Sequence, residues 1–521
     1  MSEFDYIIVG SGAAGGTLAY RLTENPDVRV LLLEAGDSTI PPEVDEPAAW
    51  FRLLGGSADW GYRSVPQRGL GGRVTHEPRG RGPGGSSNLY IMMHVRGHPS
   101  DYDNWAYQGA AGWSYADVLP YFDRIESLQD AAGPAAGPQR ITDAGLHRPN
   151  PASRAFIDAC VELGYPELKD FNSGEMSGAG WHQLDVADGR RQGVLASYIE
   201  PALRRPNLTL RTGAQATRLL FDGDTCVGVE YLQRERPAGL PGRDVGEAGE
   251  PGLHRVHAAA EVIVACGAIE SPKLLMLSGL GDPAQLRPFG IQVRRALPGV
   301  GANFHNHVLT GLMTETRAEL PPPAQNLSES ALFTASAPGL PAPDLQLAFV
   351  HVPFDIIVGR DHPNTVSVLP GVVRPASRGW IRLASPDPTA KPLVNPNYLG
   401  DRSDLDRLVQ GVRLAREIMG TRAFSPWNKG ELRPGAAVTS DTDLAGFVRN
   451  TADSYHHQAG SCRMGVDDLS VVDPELRVHG IGGLRVVDAS VMPAVPSGNC
   501  HTGIVMIAER AADLIKGAQH G

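Results

Sequence analysis

The sequence predicts an α/β chain, α+β overall, in which a Rossmann-like nucleotide-binding domain carries a second domain built on an antiparallel sheet. Three observations lead to this fold class. The first 36 residues read as strand, glycine-rich turn, helix and strand, with apolar runs at 6–9 and 28–33. A similar strand–turn–helix pattern returns at 261–279, and a third lies near the C-terminus. Residues 311–450 instead contain runs of alternating apolar and polar positions, which are typical of antiparallel strands.

Length, charge and cysteine content narrow the function classes. A chain of 521 residues exceeds what one compact core usually organises, which favours two or more domains. The formal charge of -11 gives an acidic surface that repels nucleic acid and anionic lipid, so neither is an expected partner. No apolar run approaches the roughly 18 residues that cross a bilayer, and no signal peptide is visible, so we expect a cytoplasmic protein. The five scattered cysteines indicate neither a disulfide framework nor a metal site.

The first element carries a nucleotide-binding motif. Gly10, Gly12 and Gly15 form GxGxxG after the first strand, and Glu34 follows at the end of the second strand. The first glycine permits a tight turn, the second lets the backbone approach a pyrophosphate, and the third lets the helix pack closely. Glu34 would accept hydrogen bonds from a ribose hydroxyl and would repel a 2′-phosphate, which disfavours NADP. The motif leaves NAD and FAD open.

Later stretches complete the nucleotide-binding domain. Residues 262–266 read as a strand, and the pair Ser271 and Pro272 predicts the start of a helix. A further strand is predicted to run out to Asp488, and an apolar helix at 503–515 closes the domain. Three stretches rich in proline and glycine are predicted to be surface loops: 131–140, 237–255 and 320–343.

The second domain is predicted from its strands and one long helix. Residues 344–354, 365–373 and 379–385 read as strands, and 403–419 as a helix, so helices should pack on one side of an antiparallel sheet. The chain then divides into a discontinuous nucleotide-binding domain and a domain that covers the substrate. The first domain would comprise 1–155, 190–310 and 451–521, and the second 156–189 and 311–450.

Six further stretches carry recognisable motifs: 79–105 (RGRGPGGSSNLYIMMHVRGHPSDYDNW), 267–281 (GAIESPKLLMLSGLG), 300–307 (VGANFHNH), 374–388 (RPASRGWIRLASPDP), 455–465 (YHHQAGSCRMG) and 486–502 (VVDASVMPAVPSGNCHT). Together they resemble the glucose-methanol-choline (GMC) family of FAD-dependent oxidoreductases along nearly the whole chain. The resemblance implies that the cofactor is FAD and that the second domain is a substrate-binding cap.

The resemblance also implies where the flavin lies. In GPGGSSN, the run from Gly84 to Ser87 offers unhindered backbone N–H groups and hydroxyls, which suit a pyrophosphate and the polar edge of a flavin. Asp488 and Ala489 resemble residues that complete the pyrophosphate site, and the segment 499–502 resembles the one that reaches the isoalloxazine. The motif and the resemblance give the cofactor-binding residues as Gly10, Gly12, Ala13, Ala14, Gly15, Glu34, Ala35, Gly84, Gly85, Ser86, Ser87, Asn88, Tyr90, Ala216, Asp488, Ala489, Asn499, His501 and Thr502.

The flavin is expected to be bound without a covalent link. Some family members attach FAD through a histidine shortly after the serine pair, but here Asn88, Leu89 and Tyr90 follow Ser87. Tyr90 also stands where an asparagine is common, so hydrogen bonds beside the flavin should differ from those of the family. His94, four residues further on, remains a candidate for a flavin contact.

The resemblance assigns two catalytic residues, His457 and Asn499. An alcohol carbon gives up a hydride more readily as its hydroxyl proton leaves, so the site needs a base and a second group that holds the oxygen. We therefore expect oxidation of a small-molecule alcohol to an aldehyde or ketone, with hydride transfer to flavin N5 and reoxidation by O2 or another acceptor. His456 is a candidate for the wall of the substrate pocket, and His501 for a contact near the flavin.

Two departures and two alternatives bear on this expectation. Asn306 stands where the family usually has an aspartate, and no pair of carboxylates marks a site for a quaternary ammonium group, so choline is not favoured. A non-redox lyase of the same fold would use the same histidine for proton transfer alone. An NAD-dependent dehydrogenase would require the motifs after residue 79 to be coincidental.

Overall fold

The structure is a computed structural model that describes residues 3–129, 137–235, 242–355, 362 and 364–518. Ten α-helices lie within these ranges: Ala13–Leu22 (α1), Pro99–Tyr107 (α2), Tyr115–Ile125 (α3), Pro151–Glu162 (α4), Glu200–Ala202 (α5), Gly267–Leu277 (α6), Pro283–Leu286 (α7), Arg402–Met419 (α8), Asp441–Thr451 (α9) and His501–Ala518 (α10). No helix in the described ranges is long and apolar enough to cross a membrane.

An eight-stranded sheet forms the core of one part of the fold. Its parallel centre aligns the carboxyl ends of four strands, since Val9 pairs with Leu33 and Val264, and Val264 pairs with Val486. These strands are apolar and buried because helices α1, α6 and α10 belong to the same hydrophobic core. The eight strands are Phe4–Val9, Val30–Leu33, Leu208–Thr212, Ala214–Asp222, Thr225–Gln233, Glu247–Ala248, Gly252–Val264 and Leu484–Val486.

A second sheet has nine strands, is mostly antiparallel and forms the core of the other part of the fold. Along its strand Leu345–Val350, Leu345, Leu347 and Phe349 pack against helices α4 and α8, whereas Gln346 and Ala348 face the opposite side. The nine strands are Glu167–Leu168, Gly178–Trp181, Val308–Leu309, Leu312–Thr316, Ser330–Thr334, Leu345–Val350, Thr365–Val372, Asn428–Arg433 and Asp453–Ser454.

The remaining elements are short. A four-stranded sheet contains Met93–His94, Glu126–Leu128, Gln139–Asp143 and Gln183–Leu184. Two-stranded pairs join Thr39–Ile40 with Arg243–Asp244, Tyr62–Arg63 with His76–Glu77, Val186–Ala187 with Arg190–Arg191, Leu280–Gly281 with Arg295–Ala296, and Trp380–Arg382 with Leu393–Asn395. Single 3₁₀ or π turns span Pro42–Val44, Pro47–Leu53, Arg68–Leu70, Gly85–Asn88, Ala144–Leu146, Leu195–Ile199, Arg287–Phe289 and Ala489–Val491.

Helix α6 begins earlier than its proline suggested. The prediction that Ser271 and Pro272 start the helix is wrong, because the helix begins at Gly267 and contains Pro272. A proline inside a helix leaves the carbonyl four residues earlier without its usual donor. Here that carbonyl, on Ala268, accepts a 2.6 Å hydrogen bond from the hydroxyl of Ser461, which removes most of the penalty.

All three of the predicted loops contain strand residues. Gln139 and Arg140, at the end of the stretch 131–140, begin the strand Gln139–Asp143. Ser330–Thr334, inside the stretch 320–343, is a buried strand of the second sheet and pairs with Leu345–Val350 along its whole length. The stretch 237–255 holds two short strands and the start of Gly252–Val264. Proline and glycine outside these strands set the composition of both stretches and hid them. Residues 131–136 and 237–241 of the predicted loops lie outside the described residues.

The other element predictions differ from the structure in smaller ways. The strand expected up to Asp488 ends at Val486, and the closing helix is longer than expected at both ends. Trp380–Arg382 pairs only with Leu393–Asn395, so it does not belong to the second sheet. The domain boundaries stay a prediction, although Val308–Leu309 and Asp453–Ser454 add short strands to the second sheet.

Candidate active site

The glycine-rich turn brings the chain to the carboxyl edge of the first sheet. Gly10 has φ +101°, a left-handed conformation that L side chains rarely adopt. A Cβ on Gly15 would lie 1.8 Å from the carbonyl oxygen of Gly10, so only glycine lets helix α1 start this close to the turn. A Cβ on Gly12 would meet nothing within 4 Å, because this residue faces an open cleft.

The buried carboxylate of Glu34 ties three segments together at this edge. Its Oε2 accepts from both the backbone N–H (3.1 Å) and the hydroxyl (2.6 Å) of Ser11. Its Oε1 accepts from the backbone N–H groups of Gly36 (2.8 Å) and Gly82 (3.0 Å). Glu34 therefore fixes the turn and the following loop in addition to lining the cleft.

The loop 80–88 lies against the glycine-rich turn. The backbone N–H of Gly84 donates to the carbonyl of Ser11 at 3.0 Å, and a Cβ on Gly85 would lie 2.7 Å from the Cα of Gly12. The Ser87 hydroxyl donates to the Gly84 carbonyl at 2.7 Å, and the amide of Asn88 donates to the Pro83 carbonyl at 2.7 Å. These contacts fix a narrow, polar wall of backbone amides.

Asp488 closes the same edge from the last strand. Its carboxylate accepts from the backbone N–H of Gly267 (2.9 Å), the hydroxyl of Ser271 (2.5 Å) and the backbone N–H of Ser490 (2.7 Å). Burial raises its pKa despite these donors. The start of helix α6 is thereby held beside the cleft.

These segments line one common cleft. The predicted residues that line it are Gly10, Gly12, Ala13, Ala14, Glu34, Ala35, Gly85, Ser86, Ala216, Asp488 and Ala489. Gly15, Gly84, Ser87 and Asn88 support the wall through the contacts described above. A dinucleotide fits this cleft, because the open face of Gly12 and the backbone amides at the start of α1 suit a pyrophosphate.

Several lining residues escaped the sequence analysis. Trp60 and Tyr62 stack with ring centroids 5.7 Å apart, and the Tyr62 hydroxyl donates to Glu270 at 2.6 Å. Arg79 also lines the cleft and brings a cation to it. Trp60 and Tyr62 belong to no quoted motif, so no sequence signal marked them, whereas Arg79 and Glu270 lie inside motifs that were quoted for other reasons.

A buried polar cluster outside the cleft lining contains three of the predicted residues, Tyr90, His94 and His501. The Tyr90 hydroxyl donates to Asp185 at 2.7 Å, and its ring lies 4.4 Å from that of His501. Nδ1 and Nε2 of His94 contact Asp185 (2.7 Å) and Glu126 (2.9 Å). Burial opposes its charge, but these two carboxylates raise the pKa of His94 to about 10. Both ring nitrogens of His94 are therefore occupied by protein groups.

His501 and Thr502 open helix α10 on the edge of this cluster. Nε2 of His501 lies 4.0 Å from Asp185, and burial lowers the pKa of the imidazole to about 4. The hydroxyl of Thr502 lies 3.5 Å from Nδ1 of His94. The His501 ring lies against that of Tyr90, so His501 belongs to the polar cluster.

His457 and Asn499 meet where the two sheets face each other. Nδ2 of Asn499 lies 3.3 Å from Nε2 of His457, and both side chains are buried. The backbone N–H of His457 donates to Oδ1 of Asn306 at 2.7 Å. Burial, reinforced by His307, His456 and Arg79, holds the pKa of His457 well below its usual range. The imidazole is therefore neutral and able to accept a proton at neutral pH.

His307 contacts the other side of the His457 imidazole. Its Nδ1 lies 2.9 Å from Nδ1 of His457, and burial lowers its own pKa to about 3. Because Asn499 donates to Nε2 of His457, the proton of that ring belongs on Nδ1, where it is donated to His307. This tautomer leaves the Nε2 lone pair on the side of Asn499.

Tyr455 and Gln346 complete the surroundings of the pair. The ring of Tyr455 lies 4.8 Å from that of His457, and its hydroxyl donates to Oε1 of Gln346 at 3.0 Å. Nε2 of Gln346 donates to Oδ1 of Asn499 at 3.4 Å. Sequence analysis missed Gln346, because nothing local distinguishes it from other polar residues in a strand.

His456 adopts a left-handed backbone, with φ 66°. Its carbonyl accepts a 2.5 Å hydrogen bond from the guanidinium of Arg79. Burial, with Arg79 and His76, lowers the pKa of its imidazole to about 3. The ring that packs against His457 is that of Tyr455, so a pocket role for His456 stays a prediction.

Comparisons with known proteins agree with this geometry. Sequence profiles described as GMC oxidoreductase match residues 4–309 and 375–508. Human choline dehydrogenase is 39% identical and aligns over 99% of this chain and 90% of its own length. Oxygen-dependent choline dehydrogenase of Brucella anthropi is 37% identical, over 99% and 96%.

Solved structures give the same result. Pyridoxine 4-oxidase from Mesorbium loti superposes with a TM-score of 0.90 at 33% identity, over 100% of both chains. Formate oxidase from Aspergillus oryzae has a TM-score of 0.88 at 25% identity, over 100% of this chain and 99% of its own. The expected fold, the FAD cofactor and the class of reaction, oxidation of an alcohol, are confirmed by these matches. The chain belongs to the GMC oxidoreductase family.

Proposed function

We propose that His457 is the base that removes the hydroxyl proton of an alcohol and that Asn499 holds the alcohol oxygen. The observation that carries this proposal is the 3.3 Å contact between Nδ2 of Asn499 and Nε2 of His457. An alcohol oxygen that displaces this direct contact can donate its proton to Nε2 and accept a hydrogen bond from Nδ2. The contact thus places the proposed base next to the group that would hold the alcohol oxygen.

The surroundings of His457 support a base that is ready at neutral pH. Its low pKa leaves the ring uncharged before the substrate binds, and its Nδ1–H is fixed by His307. As the alcohol proton moves to Nε2, the carbon becomes a better hydride donor. FAD, when bound, supplies the hydride acceptor. The buried position of the pair keeps water from competing for the proton.

FAD is proposed to be held by non-covalent contacts. Residues 80–88, Glu34 and Asp488 would bind it through the backbone amides and carboxylates described above. The residues after the serine pair are not histidines, and both ring nitrogens of His94 are taken by Asp185 and Glu126. Precipitation of the protein with acid should therefore release the flavin into the supernatant, and a yellow pellet would show a covalent link.

The substrate is proposed to be an uncharged alcohol with an apolar body. A Cβ on Gly498 would lie 2.6 Å from Val95, which belongs to a buried apolar cluster with Ala331, Phe333 and Ala348. This cluster would be the apolar surface that the body of the substrate meets. None of the side chains hydrogen-bonded to His457 or Asn499 in the described part of the chain is a carboxylate. The positive charge of Arg79 also contributes to the low pKa of His457.

This surface disfavours choline, although relatives carry its name. A quaternary ammonium group needs a carboxylate or an aromatic cage to replace its hydration. An apolar alcohol gains from burial at roughly 25 cal/mol per Å² without that requirement. We propose that the reduced flavin is reoxidised by O2 or by another electron acceptor.

Anaerobic flavin reduction tests the proposal. Aliphatic, benzylic and pyridine-type alcohols and choline would each be mixed with the holoenzyme, and bleaching of the flavin band followed. We expect bleaching by uncharged alcohols with kcat/KM at least about tenfold above that of choline, a difference of about 1.4 kcal/mol. Turnover without bleaching would instead support a lyase, and preference for choline would contradict the substrate class. Reoxidation with O2, followed as hydrogen peroxide, identifies the acceptor.

A further inference from the structure

We propose that Gln346 is a positioning residue that decides which end of the Asn499 amide faces His457. The inference rests on the proposed function, because it assumes that His457 is the base. Gln346 lies on the second sheet, whereas His457 and Asn499 come from the C-terminal segments of the chain. One side chain of the second sheet would thus set the protonation geometry of the catalytic pair.

The argument begins with an unbroken chain of hydrogen bonds. The Tyr455 hydroxyl donates to Oε1 of Gln346 at 3.0 Å, and Nε2 of Gln346 donates to Oδ1 of Asn499 at 3.4 Å. Nδ2 of Asn499 then faces Nε2 of His457 at 3.3 Å, and Nδ1 of His457 faces His307 at 2.9 Å. Each of these four contacts joins one donor to one acceptor.

The direction of this chain matters for the reaction. An asparagine amide rotated by half a turn would present Oδ1 to His457, and that oxygen can only accept a hydrogen bond. The ring would then carry its proton on Nε2 and would have no lone pair for the alcohol. Gln346 opposes this rotation, because its Nε2 donor needs the oxygen of Asn499 on its own side.

Glutamine suits this position better than a carboxylate or an aliphatic side chain of similar size. Its amide carries a donor and an acceptor at the same distance from the backbone, so it can accept from Tyr455 and donate to Asn499 at once. A carboxylate at this position would have only acceptors, and an aliphatic side chain would have neither. Gln346 is fully buried, so water cannot replace the lost donor.

Gln346→Glu is the decisive variant. While the introduced carboxyl is ionised, it accepts from Asn499, turns Nδ2 away from His457 and blocks the base. We expect the anaerobic rate of flavin reduction to fall about 100-fold at pH 8. When the pH falls below the pKa of that carboxyl, its O–H donates to Oδ1 and restores the original orientation. The rate relative to wild type should therefore rise as the pH falls.

Other groups that face the site do not produce this profile. Burial lowers the pKa values of His307, His456, His457 and Arg79, and it raises the pKa of Tyr455. All of them are shared by wild type and variant, so the wild-type profile serves as the reference. Gln346→Leu is the matched control, with a similar loss at pH 8 and no recovery in acid. A Gln346→Glu profile parallel to that of wild type or of Gln346→Leu would overturn the proposal.

A double substitution keeps the proposal testable if the carboxylate variant does not retain FAD. If Gln346 acts only through Asn499, then Gln346→Leu should change the reduction rate less than about twofold in an Asn499→Ala background. Independent, multiplicative losses would contradict the positioning role. His457→Ala separates the two levels: if it reduces flavin normally, the proposed base fails, whatever Gln346 does.

Discussion

Nδ1 of His457 lies 2.9 Å from Nδ1 of His307, and the two ring planes meet at 86°. The contact holds only one proton, so one ring donates and the other accepts. Burial lowers the pKa of both rings, which keeps both neutral at ordinary pH. His307 therefore fixes the imidazole of His457 from the side opposite Asn499.

Replacement of His457 by alanine should abolish the chemistry and leave the cofactor bound. We expect the rate of flavin reduction to fall by about 10²–10⁴, the usual contribution of a general base. His457 does not line the nucleotide cleft, so the flavin content of the purified variant should match that of wild type. Asn88→Ala, in the wall of the cleft, is the contrasting variant and should affect flavin retention first. Reduction of the His457→Ala flavin at the wild-type rate would contradict the assignment.

The pH dependence of kcat/KM should lack the acid limb of an ordinary histidine. The pKa of His457 is depressed by burial, so the ring stays neutral as the pH falls through 6.5. We expect kcat/KM for an uncharged alcohol to stay constant from about pH 8 to below pH 6. A fall centred near pH 6.5 would show that the base is a more exposed imidazole.

Asn306→Asp should destabilise the protein more at high pH than at low pH. Nδ2 of Asn306 lies 3.4 Å from the fully buried carboxylate of Glu77, whose pKa burial already raises. Two carboxylates there would repel each other, at a cost of about 3–5 kcal/mol while both are ionised. The folded state would hold a proton that the unfolded chain releases above about pH 4, so the loss shrinks in acid. Melting temperatures at two pH values measure this effect, and Glu77→Gln should rescue the variant.

His182→Phe should flatten the loss of stability in acid. His182 is fully buried against Phe171 and Phe333, no hydrogen bond to its ring is found among the described residues, and burial lowers its pKa to about 3. The unfolded chain gains this proton below about pH 6.5 and the folded chain does not, so stability falls as the pH drops. At pH 5 the loss from this residue is about 2 kcal/mol. Thermal unfolding at pH 8 and pH 5 should show a smaller difference in the variant, and an equal difference would contradict this.

The sequence was sufficient for features that are encoded locally. Gly10 and Gly15 form the tight turn and the close helix start that their spacing indicates, and Glu34 and Asp488 reach the same cleft because parallel strands end at one edge. The catalytic pair was assigned from two motifs, and the structure brings its members to 3.3 Å.

Features that depend on distant contacts could not be predicted in this way. Gln346 meets Asn499 across 153 positions, and His307 meets His457 across 150. The carbonyl that Pro272 leaves without a helical donor accepts from Ser461, which is distant in sequence. The hydroxyl of Tyr90 donates to Asp185, a residue without any motif. Each case turns on a partner that only the folded chain provides.

The alternation along Leu345–Val350 restricts how this enzyme can be re-engineered. Gln346 shares its strand with residues that face the apolar surface, so libraries aimed at new substrates will naturally include this strand. An insertion or deletion that slips it by one position would turn a leucine towards Asn499 and Gln346 into the helix layer. The proposed substrate wall and the proposed positioning residue would thus depend on one strand register, and mutagenesis here should exchange side chains without changing its length.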